Sequence, residues 1–118
     1  MLKISLRGLL FSIFCASSSF VYAAEEGIAS YYSDVFQGKK TASGSVYDRN
    51  KLTGAHKKIP FGTKVKITDL KNNKSVIVTI TDRGPYSKKR IVDLSYAAAK
   101  EIDLIKAGIS KVKLEIIE

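Results

Sequence analysis

Short segments in which apolar and polar residues alternate place the strongest constraint on how this chain can fold. Residues 63–68 and 111–116 have an apolar side chain at every second position and charged residues between them. Residues 76–81 contain only Val, Ile and Thr. Successive side chains of a strand point to opposite faces, and β-branched residues favour strands, so all three segments are predicted strands. Their inward faces are expected to carry Val65, Ile67, Val112, Leu114 and Ile116.

Three shorter apolar segments, residues 28–32, 52–56 and 91–93, complete the set of predicted strands. Residues 70–75 separate two of the longer strands and contain an Asn pair at 72–73. Because Asn tolerates the positive φ values that tight turns require, this segment predicts a β-hairpin.

One short helix is predicted after residues 91–93. Ser95 is a suitable N-cap, and Gly108 is a suitable end for the helical region. Apolar residues recur there every three or four positions, at Leu94, Ala98, Ile102 and Ile105. Six short strands and one small helix are too few for a broad two-layer sandwich, and closure hides the strand edges. The predicted fold is therefore mainly β, a small closed barrel.

Residues 1–23 have the composition of a secretory signal peptide. Two basic residues precede a short apolar run, and Val21 and Ala23 occupy the −3 and −1 positions of a cleavage site after Ala23. An uncleaved membrane anchor is the alternative, but three serines at 17–19 interrupt the run of about 20 apolar residues that an anchor requires. We therefore expect cleavage, no stable membrane span afterwards, and a single domain over residues 24–118.

The basic charge of the chain narrows its range of partners. The net charge is +9, from 20 Lys and Arg against 11 Asp and Glu. A basic exported domain is expected to meet anionic partners outside the cytoplasm, such as a membrane surface, an acidic polysaccharide or the cell wall. Nucleic acid would also suit this charge, but export argues against it. The expected location is the periplasm or the cell envelope.

The counts of cysteine and histidine exclude two classes of site. The chain has one cysteine, Cys15, and one histidine, His56. These counts exclude an intrachain disulfide framework and a His/Cys metal cluster, and no metal ion or cofactor is expected. Lipid attachment at Cys15 is not expected either, because the bulky Phe14 stands where a lipoprotein-processing site needs a small residue.

Residues 81–86 (TDRGPY) are the densest group of side chains suited to chemistry. Asp82 is expected to emerge at the end of a buried strand, at the rim of the core, with the Arg83 cation beside it. An Asp in this position can also serve only as a turn residue that accepts backbone N–H bonds. The residues alone leave both uses open.

Other candidates are weaker when judged from the residues alone. Asp93 precedes the predicted helix, where a favourable interaction with the helix N-terminus is the commoner use of a carboxylate. A lone histidine such as His56 is more often structural than catalytic, although no other imidazole competes for an acid/base role. Tyrosines supply flat faces for packing or for stacking on sugar rings. The small polar residues 41–45 suit a loop that borders a groove.

Six blocks of the chain, in one order, resemble the rare lipoprotein A family of bacterial cell-wall proteins. The blocks are residues 27–32 (GIASYY), 41–44 (TASG), 52–57 (LTGAHK), 60–63 (PFGT), 81–86 (TDRGPY) and 91–99 (IVDLSYAAA). The resemblance covers nearly all of residues 24–118. It implies a double-psi β-barrel, in which six strands cross in two psi-shaped loops and one short helix follows the fifth strand.

The resemblance also implies an activity: a lytic transglycosylase of the septal-ring type. Such an enzyme is a lyase that cuts the MurNAc–GlcNAc linkage of peptidoglycan and leaves a 1,6-anhydro end. The C6 hydroxyl of the sugar replaces water as the attacking group, so one carboxyl can act first as acid and then as base.

The resemblance assigns roles to six residues of this chain. Asp82 matches the active-site aspartate of the family and His56 the histidine of the same groove, so both are predicted catalytic residues. Asp93 matches, more distantly, an aspartate of expansins and related barrel glycosidases. The predicted substrate-binding residues are Tyr31, Ser45, Arg83 and Asp93.

Ser45 departs from the pattern of the family. Active members usually carry Glu directly after the Ala-Ser-Gly block, and here that position is Ser45. The departure leaves Asp82 and Asp93 as the carboxyls available for the cut. It keeps open a second function, a non-catalytic, expansin-like module that binds the cell wall. In both cases the expected partner is the glycan strand of peptidoglycan, and the expected state is a monomer.

Overall fold

The computed structural model describes residues 24–117, and the predicted signal peptide and Cys15 lie outside these described residues. Their strands are β1 (Ala24–Tyr31), β2 (Thr53–Ala55), β3 (Lys64–Asp69), β4 (Ser75–Asp82), β5 (Arg90–Leu94) and β6 (Ser110–Ile116). A 3₁₀ turn over Asp34–Phe36 follows β1, and the helix α1 (Tyr96–Glu101) follows β5. No helix within residues 24–117 has the length and apolarity needed to cross a membrane.

The six strands close into a barrel in the order β1-β5-β2-β4-β3-β6, and β6 pairs again with β1. Two neighbouring pairs, β1 with β5 and β2 with β4, are parallel, and the remaining pairs are antiparallel. The mainly β class, the closed six-stranded barrel and the short helix after the fifth strand are thereby confirmed.

The core consists of the inward positions of the alternating segments. Val65, Ile67, Val112 and Leu114 are buried, while the lysines of β3 are exposed. In β4, Val76, Val78 and Ile80 are buried and Ile77 is exposed, so this strand is buried on one face. The prediction for Ile116 was wrong: it is 42% exposed, because it is the last residue of β6 and lies at the edge of the core.

The predicted hairpin between β3 and β4 is confirmed, with Asn73 at a φ of 63°. The helix begins as predicted, because the Ser95 hydroxyl accepts a hydrogen bond from the backbone N–H of Ala98. It ends earlier than predicted. Asp103 takes the left-handed conformation, with a φ of 58°, and Leu104 N–H then donates to the carbonyl of Ala99 at 2.8 Å. This pair of features ends the helix at Glu101, seven residues before Gly108.

Candidate active site

A groove of about 510 Å³ lies where β1, β4 and β5 end. Strand register explains the position of its two carboxylates. Ala55 of β2 pairs with Asp82 of β4 on one side and with Asp93 of β5 on the other. Neighbouring strands lie about 4.8 Å apart, so the two aspartates stand roughly 10 Å apart along the sheet, at one level. Both line the groove, together with three cationic side chains, Lys40, Arg83 and Arg90.

The Asp82 side chain is partly buried and accepts three hydrogen bonds. Its Oδ1 accepts from the backbone N–H of Ala42 at 2.8 Å and from that of Arg83 at 2.9 Å. Its Oδ2 accepts from the hydroxyl of Tyr32. The loop 41–45 therefore borders the groove, as expected from its small polar residues, and holds the carboxylate through its backbone.

Tyr32 is the residue directly after β1, and its side-chain hydroxyl reaches Asp82. Its ring stacks on that of Tyr47 with 4.5 Å between the centroids and 12° between the planes, and Phe36 packs edge-on against it at 5.6 Å. Burial raises the pKa of the Tyr32 phenol well above its ordinary value, and the hydrogen bond to Asp82 and the negative charge of Asp82 raise it further. The phenol therefore keeps its proton at neutral pH.

Asp93 has a separate set of donors. Its Oδ1 accepts from the hydroxyl of Ser30 and from Nη1 of Arg90, the latter at 3.0 Å. Nη1 of Arg90 also donates to the Ser30 hydroxyl at 2.6 Å. Ser30 pairs with Asp93 in the register of the parallel strands β1 and β5, which explains why the two side chains meet. The Asp93 side chain keeps 23% of its surface exposed, on the groove.

Arg83 is used mainly to fix the fold around the groove. Its Nη1 donates to the carbonyls of Ile59 at 2.9 Å and His56 at 3.3 Å, and its guanidinium lies 4.0 Å from the centre of the Phe61 ring. These contacts attach the loop after β2 to the end of β4. The Arg83 guanidinium is thus held by carbonyls and an aromatic ring, while the backbone N–H of Arg83 holds the Asp82 carboxylate.

The His56 ring is 7% exposed, and both of its nitrogens have partners. Nδ1 accepts from the backbone N–H of Lys58 at 3.0 Å and of Ile59 at 3.2 Å, so the proton is on Nε2, which donates to Glu25 at 3.0 Å. His56 is linked to Asp82 through the backbone, because its N–H donates to the Asp82 carbonyl at 3.2 Å.

Within residues 24–117, four of the six predicted site residues line the groove. The other two, His56 and Ser45, do not. The Ser45 hydroxyl is exposed and lies 2.9 Å from the hydroxyls of Thr41 and Ser43. Tyr31 lines the groove, while its side chain packs against the core and its hydroxyl donates to the carbonyl of Ile105 at 3.0 Å. The structure thus brings together Tyr31, Asp82, Arg83 and Asp93.

Two aromatic rings at the groove mouth are open to solvent. Tyr86 is 85% exposed, and Phe36 is 45% exposed. Gly84 has a φ of 117°, a conformation that favours glycine, and a Cβ at this residue would meet the Tyr86 ring at 3.5 Å. Through Tyr86, the loop after β4 presents an exposed aromatic ring on the same groove as Asp82.

Residues 24–114 match the family described as lytic transglycolase. The chain belongs to the lytic transglycolase family. The resemblance seen in the six sequence blocks is confirmed by this match and by curated relatives of the same kind.

Relatives of this lytic transglycolase domain are named endolytic peptidoglycan transglycosylase RlpA. That of Haemophilus influenzae is 54% identical over 93 residues, which are 79% of this chain and 32% of the relative. That of Campylobacter jejuni is 50% identical over 92 residues, 78% of this chain and 34% of the relative. The chain thus spans about a third of the length of these curated relatives.

Solved structures with a similar backbone show the fold of this family member. The Streptomyces papain inhibitor superposes with a TM-score of 0.66 at 20% identity, over 80% of this chain and 94% of that one. The apo expansin of Clavibacter michiganensis superposes with a TM-score of 0.63 at 21% identity, over 80% of this chain and 50% of that one.

Tyr32 and Arg90 are among the polar residues of this lytic transglycolase groove that sequence reasoning missed. Tyr32 lies within the GIASYY block, but its hydrogen-bond partner is 50 residues away. Arg90 opens β5 and reaches Asp93 three residues later. The alternation of polar and apolar residues carries no signal for either contact. No group of three or more His, Cys, Asp or Glu side chains in the described range could hold a metal ion.

Proposed function

We propose that this domain is a peptidoglycan lytic transglycosylase with Asp82 as its catalytic acid and base. The observation that carries the proposal is the position of Asp82: partly buried, held by three donors, and in the wall of a groove with aromatic rings at its mouth. The names of the curated relatives point to the same substrate.

The proposed reaction conserves the proton of the carboxyl. Protonated Asp82 gives its proton to the glycosidic oxygen as the bond from that oxygen to C1 of MurNAc breaks. The C6 hydroxyl of the same MurNAc attacks C1 and forms the 1,6-anhydro ring, and its proton passes to the Asp82 carboxylate. The carboxyl is then protonated again, and no water is consumed.

Asp93 supports the charge that develops at C1. Glycosidic bond cleavage passes through a transition state with oxocarbenium character, and a carboxylate on the same groove stabilises it. Arg90 and the Ser30 hydroxyl hold the Asp93 side chain in place. In this proposal Asp93 stabilises the charge of the transition state, and Asp82 exchanges the proton.

The glycan strand is held by aromatic faces and cations. The rings of Tyr31, Phe36 and Tyr86 are suited to stacking on sugar rings, and Lys40 and Arg90 are suited to anionic groups of the wall. His56 serves as a positioning residue, because its backbone holds Asp82 and its ring fixes the loop after β2. Ser45 contributes a hydroxyl to the loop 41–45 that binds Asp82.

An exported, monomeric protein of the periplasm or cell envelope fits this function. The basic charge and the composition of residues 1–23 support that location. Residues 24–118 would then form the catalytic domain.

The proposal is tested by digesting purified sacculi with wild type, Asp82→Asn and the control Asp103→Asn. Asp103 is exposed, lies outside the groove and has a φ of 58°, which Asn tolerates. Wild type and the control are expected to release 1,6-anhydro products, and Asp82→Asn is expected to release none. Retention on sacculi without product from wild type would instead favour the expansin-like binding module, for which the absence of a carboxylate at Ser45 is the motivating observation.

A further inference from the structure

We propose that Tyr32 is the positioning residue for the proton of Asp82, because its hydroxyl pairs with Oδ2 in both protonation states. This inference rests on the proposed function of Asp82. It adds a residue that acts on the substrate only through Asp82.

The two oxygens of Asp82 have different partners. Oδ1 is bound by two backbone N–H groups, from Ala42 and Arg83, and a backbone N–H can only donate. Oδ2 is bound by the Tyr32 hydroxyl, which can donate to a carboxylate and can accept from a protonated carboxyl. A proton on Oδ1 would face two donors. Oδ2 is therefore the oxygen that gains and loses the proton.

The surroundings of Tyr32 hold its hydroxyl in one place. The backbone N–H of Tyr32 donates to the carbonyl of Leu94 at 2.9 Å, and this bond attaches Tyr32 to the end of β5. Its ring is held between the stacked face of Tyr47 and the edge of Phe36. The raised pKa of the phenol, due first to burial, keeps the hydroxyl neutral while Asp82 cycles.

Other charged side chains line the same groove as Tyr32 and Asp82, and they come from three parts of the fold. Arg83 follows β4, Arg90 and Asp93 lie on β5, and Lys40 lies on the loop before residues 41–45. Within the described part of the chain, the Asp82 carboxylate has hydrogen bonds only to Tyr32, Ala42 and Arg83. Removal of the Tyr32 hydroxyl thus removes the one side-chain partner of the reacting oxygen.

The chain offers a matched pair of variants, Tyr32→Phe and Tyr47→Phe. Each removes one hydroxyl and keeps a stacked ring. The Tyr47 hydroxyl accepts from the backbone N–H of Tyr96 at 3.2 Å, at the start of α1, and Tyr47 does not line the groove of the described residues. Any loss of stability from removing a hydroxyl is therefore controlled by Tyr47→Phe.

Two readouts separate positioning from structure. In sacculus digestion, Tyr32→Phe is expected to bind like wild type and to turn over about 10- to 100-fold more slowly, as for a lost hydrogen bond to a charged group. In ¹³C NMR at one pH, the resonance of the Asp82 carboxyl carbon is expected to move in this variant, because the hydroxyl that pairs with Oδ2 is gone. Tyr47→Phe should match wild type in both.

Each result decides a different point. Unchanged turnover or an unmoved Asp82 carboxyl resonance in Tyr32→Phe overturns the proposal. If wild type releases no product but the Asp82 carboxyl resonance moves as expected, the proposed function fails and the pairing of Tyr32 with Asp82 stands, without a catalytic role. If Tyr32→Phe does not fold, NMR of the Tyr32 ring in Asp82→Asn replaces it: a lowered pKa of Tyr32 supports the pairing, and an unchanged one overturns it.

Discussion

Asp82 and Asp93 stand on β4 and β5, the two strands that flank β2, and both pair with Ala55. The parallel pairing of β2 with β4 and the antiparallel pairing of β2 with β5 produce this arrangement. It places two carboxylates on one groove, although the loop 41–45 supplies none. The barrel thus offers a pair of acidic groups without the Glu that the family usually carries at the position of Ser45.

Asp93→Asn is expected to lower turnover by about tenfold and to leave sacculus binding intact. Asn keeps an oxygen for Ser30 and Arg90, but it lacks the negative charge that supports the transition state. Turnover and binding are measured with the same sacculi, and Asp103→Asn serves as the control. Turnover equal to that of wild type would remove Asp93 from the mechanism.

Tyr86→Ala is expected to weaken glycan binding by about 1–2 kcal/mol, roughly 5- to 30-fold, because an exposed stacking face is lost. The melting temperature should stay unchanged, since the side chain contributes little burial. Ile109→Ala removes another exposed apolar side chain, away from the groove lining of the described residues, and is the control. Sedimentation with sacculi measures the glycan binding of both variants. Equal weakening in the two variants would show a nonspecific effect.

Gly27→Ala is expected to destabilise the barrel by about 1–3 kcal/mol, since a Cβ at Gly27 would lie 2.5 Å from Cγ2 of Ile91 on β5. Ile91→Ala removes that atom. In a double-mutant cycle followed by urea unfolding, the two changes together should cost less than the sum of their separate costs. Strictly additive costs would contradict the close approach of β1 and β5.

Alkaline pH is expected to destabilise the wild type more steeply than Tyr32→Phe. The folded state raises the pKa of Tyr32 above its ordinary value of 10.0, chiefly by burial, so the neutral phenol favours the folded state. Its contribution is complete below about pH 10 and is lost as the pH rises above that value. Urea unfolding between pH 8 and pH 11 measures the difference. Parallel curves for the two proteins would contradict it.

The sequence predicted those parts of the fold that depend on side-chain periodicity. Strands β3, β4 and β6 lie within one or two residues of the predicted segments, because one face of each is buried. Strand β1 begins at Ala24, four residues before the predicted segment, because its first residues pair by backbone with β6. The helix end was misplaced, since Asp103 takes a conformation that glycine more often signals.

The site was predictable where a residue's position on its own strand decides its exposure. Asp82 was expected at the rim because it follows a run of β-branched residues, and the structure places it there. The contact of Tyr32 with Asp82 depends on the pairing of β1 with β5, two strands far apart in the sequence, which no local pattern encodes. The placement of the His56 ring depends equally on Glu25, at the far end of β1.

Digestion of sacculi in ¹⁸O-labelled water is the most direct test of the central claim, that Asp82 directs an attack by the C6 hydroxyl of the sugar. Wild type is expected to release 1,6-anhydro ends without ¹⁸O, and Asp82→Asn is expected to release none. Reducing ends that carry ¹⁸O, or equal release by the two proteins, would contradict it.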